Sequence, residues 1–185
     1  MSLLFKSISL ACCLIANTGA EEPSENRALI NFNITTKWPA INDSVMGGVS
    51  ESQFNIKNGS GFFTGNLSLA NNGGFASVRH SLKSNSMTAK TTHINLKVKG
   101  DGRTYQFRIR DNENNGIAYK FDFTTVPNEW LEIKIPIISM KSSFRGRHMP
   151  EFIAPSADKV SQVSFLIADK KPGAFSLEVK SVSFN

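Results

Sequence analysis

The sequence predicts an all-β protein, a jelly-roll-like β-sandwich built as one domain. Three observations predict it. Apolar residues recur at every second position through most of the chain, and Asn-Gly and Asp-Gly dipeptides separate the runs. No comparably long stretch carries helical spacing. The 185 residues are 40% hydrophobic and include fourteen Phe, enough for one substantial core and too apolar for a disordered chain.

Residues 1–20 read as a secretory signal. Lys6 is the lone base of the opening segment, Ile8 to Ala16 is apolar, and Thr18 and Ala20 place small residues where a signal peptidase cuts. Cleavage after Ala20 is predicted, leaving residues 21–28 as a polar leader with Pro23 and residues 29–185 as the domain. Both cysteines, Cys12 and Cys13, leave with the signal, so no disulfide or thiolate site is expected in the mature chain. Acylation at either cysteine is the alternative and would tether the domain to a bilayer. The expected location is periplasmic or secreted. No later segment is long and apolar enough to cross a membrane as a helix.

The strands follow in order. Phe63, Leu67 and Leu69 share a phase around Gly65; Ile94, Leu96 and Val98 alternate with Asn95, Lys97 and Lys99. Tyr105, Phe107 and Ile109 alternate with Gln106, Arg108 and Arg110, then Tyr119, Phe121 and Phe123 with Lys120 and Asp122. The pattern returns at Leu131 to Ile135, Val163 to Ile167 and Phe175 to Val179, and a change of phase towards Val182 and Phe184 predicts a bulge near Ser181. Asn58-Gly59, Asp101-Gly102 and Asn115-Gly116 are read as tight hairpin turns. About nine half-buried strands need two facing sheets, because a single sheet would leave an apolar face wet.

Five ordered blocks carry a resemblance. They are Trp38 with Asn42 to Ser50; Asn71 to Arg79; Lys99 to Tyr105; Trp130 with Ile135-Pro136; and Phe144-Arg145-Gly146. In order and spacing the chain resembles the complex I intermediate-associated protein 30 domain family, from about Leu29 to Asn185. The resemblance implies a galactose-binding-like jelly roll, and for some members a mitochondrial assembly role. This chain departs from the mitochondrial members in opening on an export-type signal instead of a long Arg-rich leader. What the resemblance implies here is a binding or assembly domain.

The candidate ligand-binding residues are Trp38, Asp43, Arg79, Asp101, Arg103, Arg108, Arg110 and Arg145. Trp38 reads as packing before sugar platform, and Asp43 as a turn cap before ligand acceptor. The arginines suit carboxylate, phosphate or sugar hydroxyls if neighbouring strands gather them; otherwise they are a solvated face with ion pairs to Asp111, Glu113 or Asp122. No catalytic constellation is legible. His80, His93 and His148 lack metal-ligand spacing, and no nucleophile elbow occurs. A two-carboxylate hydrolase would need Asp43 and Asp101 to converge. No enzyme, metal or cofactor is therefore expected. The leading function is a non-catalytic binding or assembly-factor domain acting on a protein; a carbohydrate-binding module, with Trp38, Arg79, Arg103 and Arg145 at one end of the sandwich, is the alternative. Nucleic acid is not expected, because its binding needs denser interleaving of bases and aromatics than this chain has.

Overall fold

The computed structural model describes residues 27–32, 36–111 and 116–185. The predicted signal with Cys12 and Cys13, most of the leader, and Glu113 and Asn115 lie outside the described residues. Among those described, twelve strands run β1 Arg27–Ile30, β2 Glu51–Lys57, β3 Ser60–Leu67, β4 Ala76–Ser81, β5 His93–Lys99, β6 Thr104–Asp111, β7 Ala118–Thr124, β8 Trp130–Pro136, β9 Lys141–Phe144, β10 Arg147–His148, β11 Val160–Ile167 and β12 Gly173–Phe184.

They form two antiparallel sheets. The first has the order β2-β3-β12-β5-β8, with β1 also pairing β12; the second has the order β10-β9-β7-β6-β11-β4. The alternating side chains explain why the sheets face each other. Phe63, Ile94, Leu96, Val98, Ile135, Leu177 and Val179 of the first are buried against Tyr105, Phe107, Ile109, Phe165 and Ile167 of the second. β12 is the spine of the first sheet, bonding β3 and β1 along one edge and β5 along the other. Its register against β5 shifts between Val179 and Ser181, the site of the expected bulge.

Asn58-Gly59 closes the β2–β3 hairpin with φ of 53° and 70°, as a primed turn requires. Asp101-Gly102 corrects the sequence reading, because β5 belongs to the first sheet and β6 to the second. It is a crossing between sheets, not a hairpin. Alternation cannot separate the two cases, since hairpin partners and facing strands bury the same phase. Leu69 falls beyond β3 and is exposed. β1 begins at Arg27, inside the stretch read as leader, and short edge strands such as β9 and β10 carry too few residues to show a period.

Gly65 makes the packing testable. It sits between Ser52 of β2 and Phe175 of β12. A Cβ there would lie 2.0 Å from the Glu51 carbonyl oxygen and 2.7 Å from the Phe175 ring. Gly65→Ala should destabilise the fold by about 2–4 kcal/mol in urea unfolding, because backbone and core must both shift. Gly146→Ala, with φ of 81° but open space around the added methyl, should cost only about 1 kcal/mol. Equal costs at the two sites would contradict this packing.

Candidate functional site

The candidate residues separate into five places. Trp38 is in the core. Its ring stacks on Phe54 at 4.4 Å and on His80 at 5.1 Å, and its indole N–H donates to Thr36 Oγ1 at 3.2 Å. It is 7% exposed, which leaves no ring face for a sugar. Trp130 is the more exposed indole, at 41%, and the Lys99 ammonium sits 4.8 Å over its ring.

Asp43 is fully buried at the centre of a turn knot. Oδ1 accepts from the Ser50 amide at 2.9 Å; Oδ2 accepts from Ser50 Oγ at 2.6 Å and from the amides of Gly74 at 2.7 Å and Phe75 at 3.3 Å. A Cβ on Gly48 would meet Asp43 Cγ at 2.3 Å, and one on Gly73 would meet Oδ2 at 2.6 Å. Glycine at both positions thus makes room for the carboxylate. Burial pushes this carboxyl up, but the gathered donors outweigh it and hold the group below its ordinary value.

Asp101 and Arg103 lie at the β5–β6 crossing. Asp101 Oδ1 accepts from the Arg103 amide at 3.1 Å and the Tyr105 hydroxyl at 3.0 Å, while Oδ2 accepts from the Ser176 amide at 2.8 Å. Arg103 grips Asp169 with two parallel bonds, Nε to Oδ2 at 2.9 Å and Nη2 to Oδ1 at 2.7 Å. Its remaining donors go to the carbonyls of Gly173, Ala174 and Lys171. The hydrogen bond to Asp169 raises the guanidinium further above its ordinary value. Asp43 and Asp101 are each held by their own turn amides, so they form no acid–base pair.

Arg79, Arg108 and Arg110 do come together, on the outer face of the second sheet. The register runs directly from Arg79 of β4 to Ser164 of β11, then Arg108 of β6, Lys120 of β7 and Lys141 of β9. Arg110 lies one step along, opposite Gln162. Lys120 pairs with Asp122 at 3.0 Å on its own strand. Burial, the Arg110 and Arg79 guanidiniums push Arg108 down to about 10, against a partial opposing pull from Asp122. Arg145 stands apart from this row, in the β9–β10 turn with φ of 48°, over the Phe144 ring at 5.3 Å. Sequence reasoning missed Lys120 and Lys141. A two-residue turn at Asn115-Gly116 would have set Lys120 against Asp111, whereas the register sets it against Arg108, so neither Lys120 nor Lys141 carries a sequence signal for the row.

Among the described residues, no three His, Cys, Asp or Glu side chains gather as a metal site, and no helix is long and apolar enough to cross a membrane.

A twisted pair of antiparallel sheets with its polar knots at the strand ends is a galactose-binding-like sandwich, the architecture of many binding modules. The chain belongs to the Complex I intermediate-associated protein 30 (CIA30) family, whose model matches residues 30–179. It is 27% identical over 164 residues to the mouse (Mus musculus) mitochondrial complex I intermediate-associated protein 30, an alignment covering 77% of this chain and 50% of the relative. The chain therefore spans about half the length of that relative. Among solved structures, it is similar to a family 11 carbohydrate-binding module from Clostridium thermocellum in complex with a mixed-linked tetrasaccharide. That likeness has a TM-score of 0.65 and 18% identity, over 86% of this chain and 94% of the module. An agarase matches at a TM-score of 0.57 and 10% identity, over 85% of this chain and 24% of the enzyme. These likenesses define the fold.

The Asp43 knot generates a pH prediction. Because its folded pKa lies below the unfolded value of about 3.9, its stabilisation is present above that value and is lost as pH falls through the folded pKa. Asp43→Asn should unfold at about 2 kcal/mol lower stability at neutral pH, since an amide N–H₂ would meet amide donors. It should also lose stability less steeply than the parent on acidification. Denaturant midpoints measured from about pH 7 down to about pH 3 check both; parallel curves would rule out the knot as the acid-sensitive element.

Proposed function

We propose that this chain is a non-catalytic binding domain that acts on a protein partner, as an assembly-type factor outside the cytoplasm. The family match across nearly the whole described sandwich is the observation that carries this reading. The occupied carboxylates of Asp43 and Asp101 support its non-catalytic part. Export is supported by the signal-like residues 1–20. The client named for the mouse relative is not carried over, because this chain spans about half that protein.

A sugar-binding role draws its support from the shared fold, yet two of its four proposed contacts are engaged elsewhere: Trp38 is stacked in the core and Arg103 is locked to Asp169. The outer face of the second sheet is the better candidate surface.

Affinity capture tests the reading. The chain, tagged at its C-terminus in its native host and cross-linked before extraction, should recover one reproducible protein from the exported fraction. Intact mass should place the mature start at Glu21. Empty captures from every fraction, together with strong binding on a glycan array, would overturn the protein-partner reading.

A further inference from the structure

The two outer faces treat their bases differently. On the first sheet, bases meet acids across the strands: Lys97 opposes Glu132 and bonds it at 2.9 Å, and Lys99 opposes Glu178 at 2.9 Å. On the second sheet, Arg108 opposes Lys120, and Lys120 opposes Lys141. Like charges directly opposite each other destabilise a sheet. Asp111, at the end of β6, and Asp122 are the carboxylates of these strands among the described residues, and Asp122 bonds Lys120.

Among the described residues, the arginines make few hydrogen bonds. A guanidinium carries five N–H groups. Arg108 gives Nε to Gln106 Oε1 at 2.9 Å, and Arg110 gives Nη1 to the Gly116 carbonyl at 2.9 Å. Arg79 Nε is buried with no hydrogen-bond partner. A buried donor without an acceptor is costly, and an arriving oxyanion would relieve it. Ser164, between Arg79 and Arg108 in the row, adds a hydroxyl at the same place.

We propose that this face docks an extended acidic segment of a protein partner, whose carboxylates pair with Arg79, Arg108 and Arg110 and whose aliphatic flank enters the cavity beside Lys141. The proposal rests on the protein-partner reading above and names the surface that serves it. Five strands spaced about 4.8 Å apart give a row about 19 Å long, and same-side residues of an extended peptide repeat every ~6.8 Å, so about three carboxylates can face it. Lys141, at the end of the row, also lines a cavity of about 270 Å³ whose walls include Ile138, Met140, Phe152 and Ile153. Ile138 and Ile153 are 78% and 79% exposed. Cations beside an apolar notch suit a peptide with acidic and aliphatic side chains. A glycan would want a ring to stack on; Tyr105, Phe107, Tyr119 and Phe165 of these strands are buried on the opposite side, and the exposed ring of Phe144, at the end of β9, is covered on one face by Arg145.

The test is fluorescence anisotropy of the processed chain with a short labelled peptide alternating Ser and Glu and ending in leucine. Saturable binding that weakens with salt is expected. Arg79→Gln and Arg108→Gln should each reduce affinity about tenfold. Arg108→Lys, which keeps charge but loses the two-pronged fork, should still reduce it several-fold, and Lys134→Gln on the first sheet should leave it unchanged. Where an arginine variant does not fold, the exposed Lys141→Gln serves in its place. Absence of binding at low salt, indifference to Arg108→Lys, or equal competition by inorganic phosphate would each overturn the proposal. An oligogalacturonate that displaces the peptide at lower concentration would overturn the protein-segment assignment. In the capture experiment, a partner still recovered by the Arg79→Gln, Arg108→Gln double variant would sink this surface and leave the protein-partner reading standing. Empty capture with the parent chain would sink that reading itself.

Discussion

Each time the chain passes from one sheet to the other, its peptide groups leave the hydrogen-bond ladder and must find partners at the rim of the core. In this sandwich that constraint is concentrated at one end. The pairing of Leu67 with Gly173 sets the end of β3 beside the start of β12, and the pairing of Ala76 with Ile167 sets the start of β4 beside the end of β11. The β3–β4 and β11–β12 crossings therefore run side by side. The β5–β6 and β7–β8 crossings also meet: Asn128 donates to the Gly100 carbonyl at 3.0 Å, and Thr125 Oγ1 accepts from the Gly102 amide at 3.0 Å while donating to the Arg103 carbonyl at 3.1 Å. Three carboxylates supply most of the missing acceptors, Asp43 for the β3–β4 crossing, Asp101 for the β5–β6 crossing and Asp169 for the arginine that spans to β12. Their burial is tolerable because nearly every lone pair is used, and the same use withdraws them from chemistry.

The strands were legible because one face of each is buried, which imprints a period of two on the residues. The same logic set the limit. Tyr105 and Val98 point into one core from opposite sheets, so their alternation looks like that of hairpin partners, and Asp101-Gly102 was read as a turn within a sheet. Its glycine is needed, but for a different reason: Gly102 has φ of 89° in a corner crowded by Thr125 and Pro127. Strands such as β9 and β10, four and two residues long, fall below the length at which a period exists. The arginine row was half legible. Its residues lie on the wet phase of their strands, but their meeting depends on β4 lying beside β11 and β11 beside β6, pairings between segments more than fifty residues apart in sequence.

Three of the five blocks that carried the family resemblance lie at or beside the crossings. Asn42 to Ser50 and Asn71 to Arg79 enclose Asp43, and Lys99 to Tyr105 forms the Asp101–Arg103 corner. A strand tolerates any residue of suitable polarity on each face, whereas a knot with one carboxylate, several aimed amides and glycines with no room for a methyl does not. Residue identity is therefore informative at the corners and polarity is informative along the strands. This explains why short motifs located the fold when most of the strand residues could not.

That division also separates stability from recognition. The knots and the interleaved core hold the sandwich without any contribution from the outer faces, so those faces are free to depart from what a sheet alone would favour. The first sheet does not depart in this way: Lys97 and Lys99 lie opposite Glu132 and Glu178 and pair with them. The second sheet sets cation against cation across β6, β7 and β9, and leaves a buried guanidinium nitrogen of Arg79 without an acceptor. A local conflict of this kind adds nothing to folding, and an anion is the one class of ligand that resolves both the repulsion and the missing acceptor. The family-like corners thus define what the molecule is built as, and the placement of a few bases on one sheet face defines what it is poised to meet.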